Sequence, residues 1–104
     1  MDCSNSDWKL FRCRLAEWQE AYMDKLNKGY AELLSEDIAA SEKFWKLEKK
    51  IKQDKNHPGV ILSMKRQEMV YDIVELINDN VITVDALDGF SDDLKEKVSF
   101  LMHR

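Results

Sequence analysis

Glycine and proline are nearly missing from this sequence, with three and one among 104 residues. A β-sandwich or barrel needs a turn about every ten residues, so this scarcity excludes one. Cysteine is scarce too. Cys3 and Cys13 alone cannot make the disulfide framework of a small secreted domain, so reduced thiols are expected. Apolar runs are only a few residues long, and none can cross a membrane as a helix. The opening Met1-Asp2-Cys3-Ser4 has neither the basic nor the apolar part of a signal peptide, which makes the cytoplasm the expected compartment.

Recognisable chemistry is also lacking. There is no glycine-rich phosphate loop. The serines precede acids and read as helix caps, not as nucleophiles on a sharp turn. His57 and His103 have no Cys, His or carboxylate at ligand spacing, so no metal or other cofactor is expected. The acids of residues 79–93 lack the alternation, the central glycine and the closing glutamate of a calcium loop.

What the chain does have is apolar residues at helical spacing. Hydrophobic residues make up 44% and charged residues 35%, the balance of a globular, well-solvated chain. A length of 104 residues suits a single domain, here 1–104 with residues 1–6 frayed. The net charge of −4 argues against nucleic-acid binding by the whole surface.

Residues 59–80 are the most apolar stretch. Leu62, Met69, Ile73, Leu76 and Ile77 fall on one side of a helix, and Val70 and Val74 widen the arc to about 160°. So wide an arc predicts contact with two or three neighbours. Pro58 suits the first helical position, with Asn56 or His57 as cap, and Asn80 suits a left-handed stop. Arg66 lies at the centre of the apolar arc, where a guanidinium must snorkel outward or meet a carboxylate.

Upstream, Trp8, Phe11, Leu15, Trp18, Tyr22, Leu26, Tyr30 and Leu33 hold one face of a helix over 7–34, capped by Ser6 or Asp7. Gly29 lies on that face, either for a close helix approach or merely tolerated. Cys13 points away from the stripe and reads as an ordinary, partly exposed thiol. Ser35, or alternatively Ser41, caps a second helix over 37–54. Ala40, Phe44, Leu47 and Ile51 are its expected core stripe, with Ile38 and Trp45 on a separate small apolar face. Its lysines interleave with acids, as on an ordinary solvated face.

After Asn80, Thr83 caps a short helix at 84–88 closed by a left-handed Gly89. Ile82 and Leu87 are spaced as a staple across its start. Ser91 caps a last helix over 92–103, with Asp92 and Asp93 at its positive end. Leu94, Val98 and Leu101 form its stripe.

The predicted fold is therefore all-α: a small antiparallel bundle of three long helices (7–34, 37–54, 58–79) plus a short helix and a C-terminal helix. The first helix spans about 42 Å by its rise, longer than its expected partners. That leaves Trp8, Phe11 and Leu15 as the expected bare end and predicts a homodimer built on it. The leading functional expectation is a self-associating interaction or adaptor module, with Trp8, Phe11, Leu15, Ile38 and Trp45 as partner-binding residues. A weak nucleic-acid binder using Lys46, Lys49 and Lys50 with the Trp45 ring is the alternative. A small all-helical enzyme is a further one, and it requires a polar pocket around Arg66.

The strings EWQEAYMDKLNKGYAELL, KFWKLEKKIKQDKNHPGVIL and ELINDNVITVDALDGFSDDLKEKV resemble a group of short uncharacterised proteins of Gram-positive bacteria. Some of that group carry the label "multidrug transporter". The resemblance implies no particular fold, activity or site, and a chain with no membrane-spanning helix does not fit that label by itself.

Overall fold

The computed structural model describes residues 4–103. The chain is all-α, with no strand among the described residues. Helix α1 is Asn5–Leu34, α2 is Ala40–Asp54, α3 is Met69–Asn78 and α4 is Asp92–Met102. Two 3-10 turns, Arg66–Glu68 and Val84–Leu87, lead into and follow α3. Residues 1–3, which include Cys3, lie outside the described part. Residues 5 and 6 belong to α1.

One core lies at one end of the molecule. The first half of α1 gives it Phe11 and Leu15. Met69, Val70, Ile73 and Leu76 of α3 meet them, with Leu94 and Val98 of α4 and Ile82, Leu87 and Phe90 between. Trp18 stands edge-on to Phe11, with ring centroids 6.3 Å apart, and tilts against Phe90 at 6.4 Å. The second half of α1 leaves this head and carries α2 as an arm. The molecule is accordingly long, 53 × 27 × 21 Å, with a radius of gyration of 16.7 Å. A compact chain of this length would give about 13 Å.

The local signals at the chain's turns hold. Asn80 is left-handed at φ 63° and Gly89 at φ 92°. Ser91 caps α4 by accepting the Leu94 N–H at 3.2 Å. Three other caps differ. Thr83 precedes the Val84–Leu87 turn but makes no side-chain cap hydrogen bond. Ser4, not Ser6 or Asp7, caps α1 through the Asp7 N–H at 3.1 Å. Ser35 closes α1 rather than opening α2: its N–H reaches the Ala31 and Glu32 carbonyls and its hydroxyl donates to Glu32 O at 2.7 Å. α2 starts at Ala40 with no side-chain cap.

The largest correction is to the expected third long helix. Its first half is not helical. The Gly59 N–H donates to His57 Nδ1 at 3.0 Å, and the Val60 and Ile61 N–H groups both go to His57 O. The Pro58 carbonyl, which a helix would use internally, accepts from Gln19 Nε2 of α1 at 3.0 Å. Gly59 is pressed on the Tyr22 ring so closely that a Cβ would lie 2.7 Å from Cγ. α1 thus captures residues 57–60 as a turn, and residues 61–65 run as a strap to the head. Tertiary contacts override the helical pattern.

Candidate interaction face

The arm is a helical hairpin whose register is shifted. Tyr30 Oη donates to Asp54 Oδ2 at 2.6 Å, Tyr22 Oη lies 3.4 Å from His57 Nε2, and Lys46 Nζ lies 4.0 Å from Glu36. These pairs place the C-terminal half of α2 beside α1. Phe44 and Trp45 come level with the connection, past the last residue of α1, Leu34. They have nothing opposite them. Phe44 is 61% exposed and Trp45 63%, and their rings meet edge to face with centroids 4.9 Å apart.

The expected core stripe of α2 is therefore not core. No residue of α2 is buried. Phe44, Leu47 and Ile51 line an open groove of about 360 Å³ along the helix, edged by Glu48, Lys52 and Lys55. A second groove of about 290 Å³ adjoins it at Ile51 and Lys55. Met23, Leu26 and Tyr30 of α1, together with Val60 of the 57–60 turn, form its walls. The apolar steps 23, 26, 30, 33 on α1 and 40, 44, 47, 51 on α2 are both alternating threes and fours, the spacing of a bundle seam. Leu33, at the end of the α1 seam, is buried, whereas Phe44 and Ile51 of the α2 seam stay open.

A polar cleft of about 310 Å³ lies where the arm meets the end of α3, bounded by Tyr22, Lys25, Tyr30, Lys50, Asp54 and Asp79. Burial, then the hydrogen bond to Asp54 and its charge, push the Tyr30 phenol up to about 12. It stays protonated and donates. Burial, with the Asp54 and Asp79 charges, also raises Tyr22. His57 stacks on Tyr22 at 4.7 Å, and because its Nδ1 accepts from Gly59, the neutral ring carries its proton on Nε2. These contacts pin the strap to α1. They do not place a base beside a nucleophile.

The structure redistributes the residues singled out in the sequence. Phe11 is fully buried and Leu15 is 4% exposed, so both belong to the core and neither can be a bare partner site. Trp8 is half-buried, its ring 6.1 Å from Phe11 with the Arg12 guanidinium over it at 5.6 Å. The head, not the arm, covers this end of α1, which overturns a dimer built there. Ile38 is half-buried in the connection, and Trp45 is open. Lys46 and Lys49 flank Trp45, whereas Lys50 turns into the cleft beside Tyr30. The three lysines do not share one face.

Arg66 is exposed on the 3-10 turn ahead of α3. It is not in the apolar arc, because the turn that carries it is not part of the helix that defines that arc. Cys13 is exposed and free. A methyl group placed on Gly29 would have nothing within 4 Å, so this glycine marks no close approach. Sequence reasoning missed Met23, Leu26 and Val60 as groove walls; the heptad-like spacing of Met23 and Leu26 was the available signal.

Among the described residues, no group of three or more His, Cys, Asp or Glu is placed to hold a metal ion. None of the described helices is long and apolar enough to cross a membrane. Comparison with protein-family models, with curated proteins and with solved structures finds no match for this chain.

Proposed function

We propose that this protein is an interaction module: a folded head that holds out an apolar helical arm for a protein partner. The observation that carries the reading is α2, fifteen residues with an apolar seam and not one buried residue. A 15-residue helix is marginal in water unless its apolar face is covered. Covering the exposed parts of Phe44 and Trp45 would release about 6 kcal/mol before association costs, at about 25 cal/mol per Å² and about 200 Å² per aromatic. An apolar face of this kind marks a docking site. The setting in this reading is a bacterial cytoplasm, after the resemblance to short Gram-positive proteins.

Differential capture from native extract tests it. Wild-type chain should retain a partner that Ile51→Glu loses, with both chains equally helical by circular dichroism. Ile51 is 43% exposed, so the substitution leaves the head intact. Identical capture by the two chains would remove the arm as the docking face.

A further inference from the structure

We infer that the arm's occupant is a second copy of this chain, docked with the two α2 helices antiparallel across a two-fold axis near Leu47 and Glu48. The inference rests on the reading of the arm as a docking face and names what fills it.

Shape supports it first. The hairpin resembles half of a four-helix bundle: two antiparallel helices, with Leu33 buried but Phe44 and Ile51 left without an opposite layer. A two-fold axis at the middle of α2 sets Phe44 of each copy opposite Ile51 of the other. The exposed Phe44 ring, which overhangs its own α1, then meets the groove that Met23, Leu26 and Val60 wall beside Ile51. One chain carries both the knob and the hole, as an isologous interface requires.

Charge chooses the direction. Residues 35–42, at the tip of the arm, hold Glu36, Asp37 and Glu42 and no base. Nearer the head, Lys52 and Lys55 edge the groove. Antiparallel docking brings Glu42 and the acids of the connection to the end of the groove that Lys52 and Lys55 edge, and it opposes the helix dipoles. Parallel docking would set acidic tip on acidic tip, which like-charge repulsion disfavours. The face is about 22 Å long and about 20 Å wide by helix rise and diameter, so about 440 Å² in projection. That is small beside the ~800 Å² per partner of a standard interface and puts the pair among weak, transient associations.

Sedimentation velocity of the full chain from about 5 to about 500 µM, a range that brackets such an affinity, is the first test. The mass should climb from 12.3 kDa towards twice that value. Phe44→Glu and Ile51→Glu should stay monomeric throughout with unchanged helix content. A second measurement holds even where those variants fold poorly. In a Cys3→Ser/Cys13→Ser background, Glu48→Cys sits at the axis and should cross-link to a disulfide dimer under mild oxidation. Glu36→Cys, at the tip, should not. A wild-type monomer at the highest concentration overturns the second copy, while a capture difference at Ile51→Glu would leave the docking face standing with another partner. A dimer that cross-links through Glu36→Cys, or that survives both glutamate substitutions, overturns the arrangement.

Discussion

The Asp7 carboxylate in the first turn of α1 accepts two hydrogen bonds from Ser91, one from the backbone N–H at 2.9 Å and one from Oγ at 2.6 Å. Ser91 Oγ in turn caps α4 by accepting from Leu94 N. The start of the chain is thereby fastened to the start of the last helix. Burial alone would push Asp7 up, but the hydrogen bonds of Ser91 and Ser4 and the Lys97 charge outweigh it and hold the carboxyl below its usual value. Asp7→Ala leaves two donors of Ser91 unpartnered in a nearly dry site and should cost about 3 kcal/mol in urea unfolding, with Ser91→Ala costing about 2. The double variant should lose less than the sum, because both remove one network. The lowered value sets the sign of the pH effect. The Asp7 contribution is present above the unfolded value of 3.8 and is lost as pH falls through the folded one. Additive losses at neutral pH would show that the two groups do not act together.

Gly29 and Gly59 should respond to alanine in opposite ways. Gly29 lies inside α1, five residues before its end, with nothing within 4 Å of a Cβ, so Gly29→Ala gains helix propensity and should stabilise by about 0.5–1 kcal/mol. At Gly59 the added methyl would overlap the Tyr22 ring, which is stacked on His57. Gly59→Ala should destabilise by about 2 kcal/mol, as overpacking does. Thermal unfolding of the two variants reads both signs. A neutral Gly59→Ala would mean that the strap does not rest on α1.

Much of the head is legible in the sequence, because its signals are local. Met69, Ile73 and Leu76 recur at helical spacing and are fully buried. Asn80, Gly89 and Ser91 each fix one backbone conformation through their own chemistry. The arm is less legible, because it turns on choices between distant residues. Nothing near Pro58 says that Gln19, 39 residues earlier, will take its carbonyl and hold the chain out of a helix. The stripe of Phe44, Leu47 and Ile51 reads the same whether a neighbour in the chain covers it or not. The register of the hairpin, set by Tyr30 on Asp54, decides that it is open. The same holds for α1: its aromatic stripe runs the full length of the helix, and only the docking of α3 and α4 selects Phe11 and Leu15 for burial.

Asp72 gives the protein a pH dependence opposite to that of Asp7. It is 9% exposed, and its Oδ2 finds no hydrogen-bond partner among the described residues. Burial first, then the charges of Glu75 and Glu68, push it up from 3.8 to about 6. Folded Asp72 therefore holds its proton where the unfolded chain has released it. Between about pH 4 and about pH 6 folding takes up a proton, so stability falls as pH rises across that window and stays lower above it. A shift of this size corresponds to about 2–3 kcal/mol. Asp72→Asn, which cannot ionise, should flatten the window and leave the protein more stable than wild type at pH 7. Urea midpoints at pH 4, 5, 6 and 7 check it. An unchanged slope in Asp72→Asn would assign the dependence to other groups.

Head and arm should differ in what a lost side chain costs. Ile73 and Leu76 touch the core on all sides, so truncating either to alanine removes transfer energy and leaves a cavity, about 2–5 kcal/mol. Phe44 is larger than either, yet most of its surface already meets water. Phe44→Ala in dilute protein should therefore change stability by less than about 0.5 kcal/mol, the range of an open surface site. Raising the concentration separates wild type from the variant if a partner copy covers the ring, because association stabilises only the chain that can associate. Denaturation at two concentrations, about 1 µM and about 200 µM, reads both effects at once. Equal costs for Phe44→Ala and Ile73→Ala in dilute solution would mean that the chain itself buries the α2 seam, and the arm would then have nothing to offer a partner.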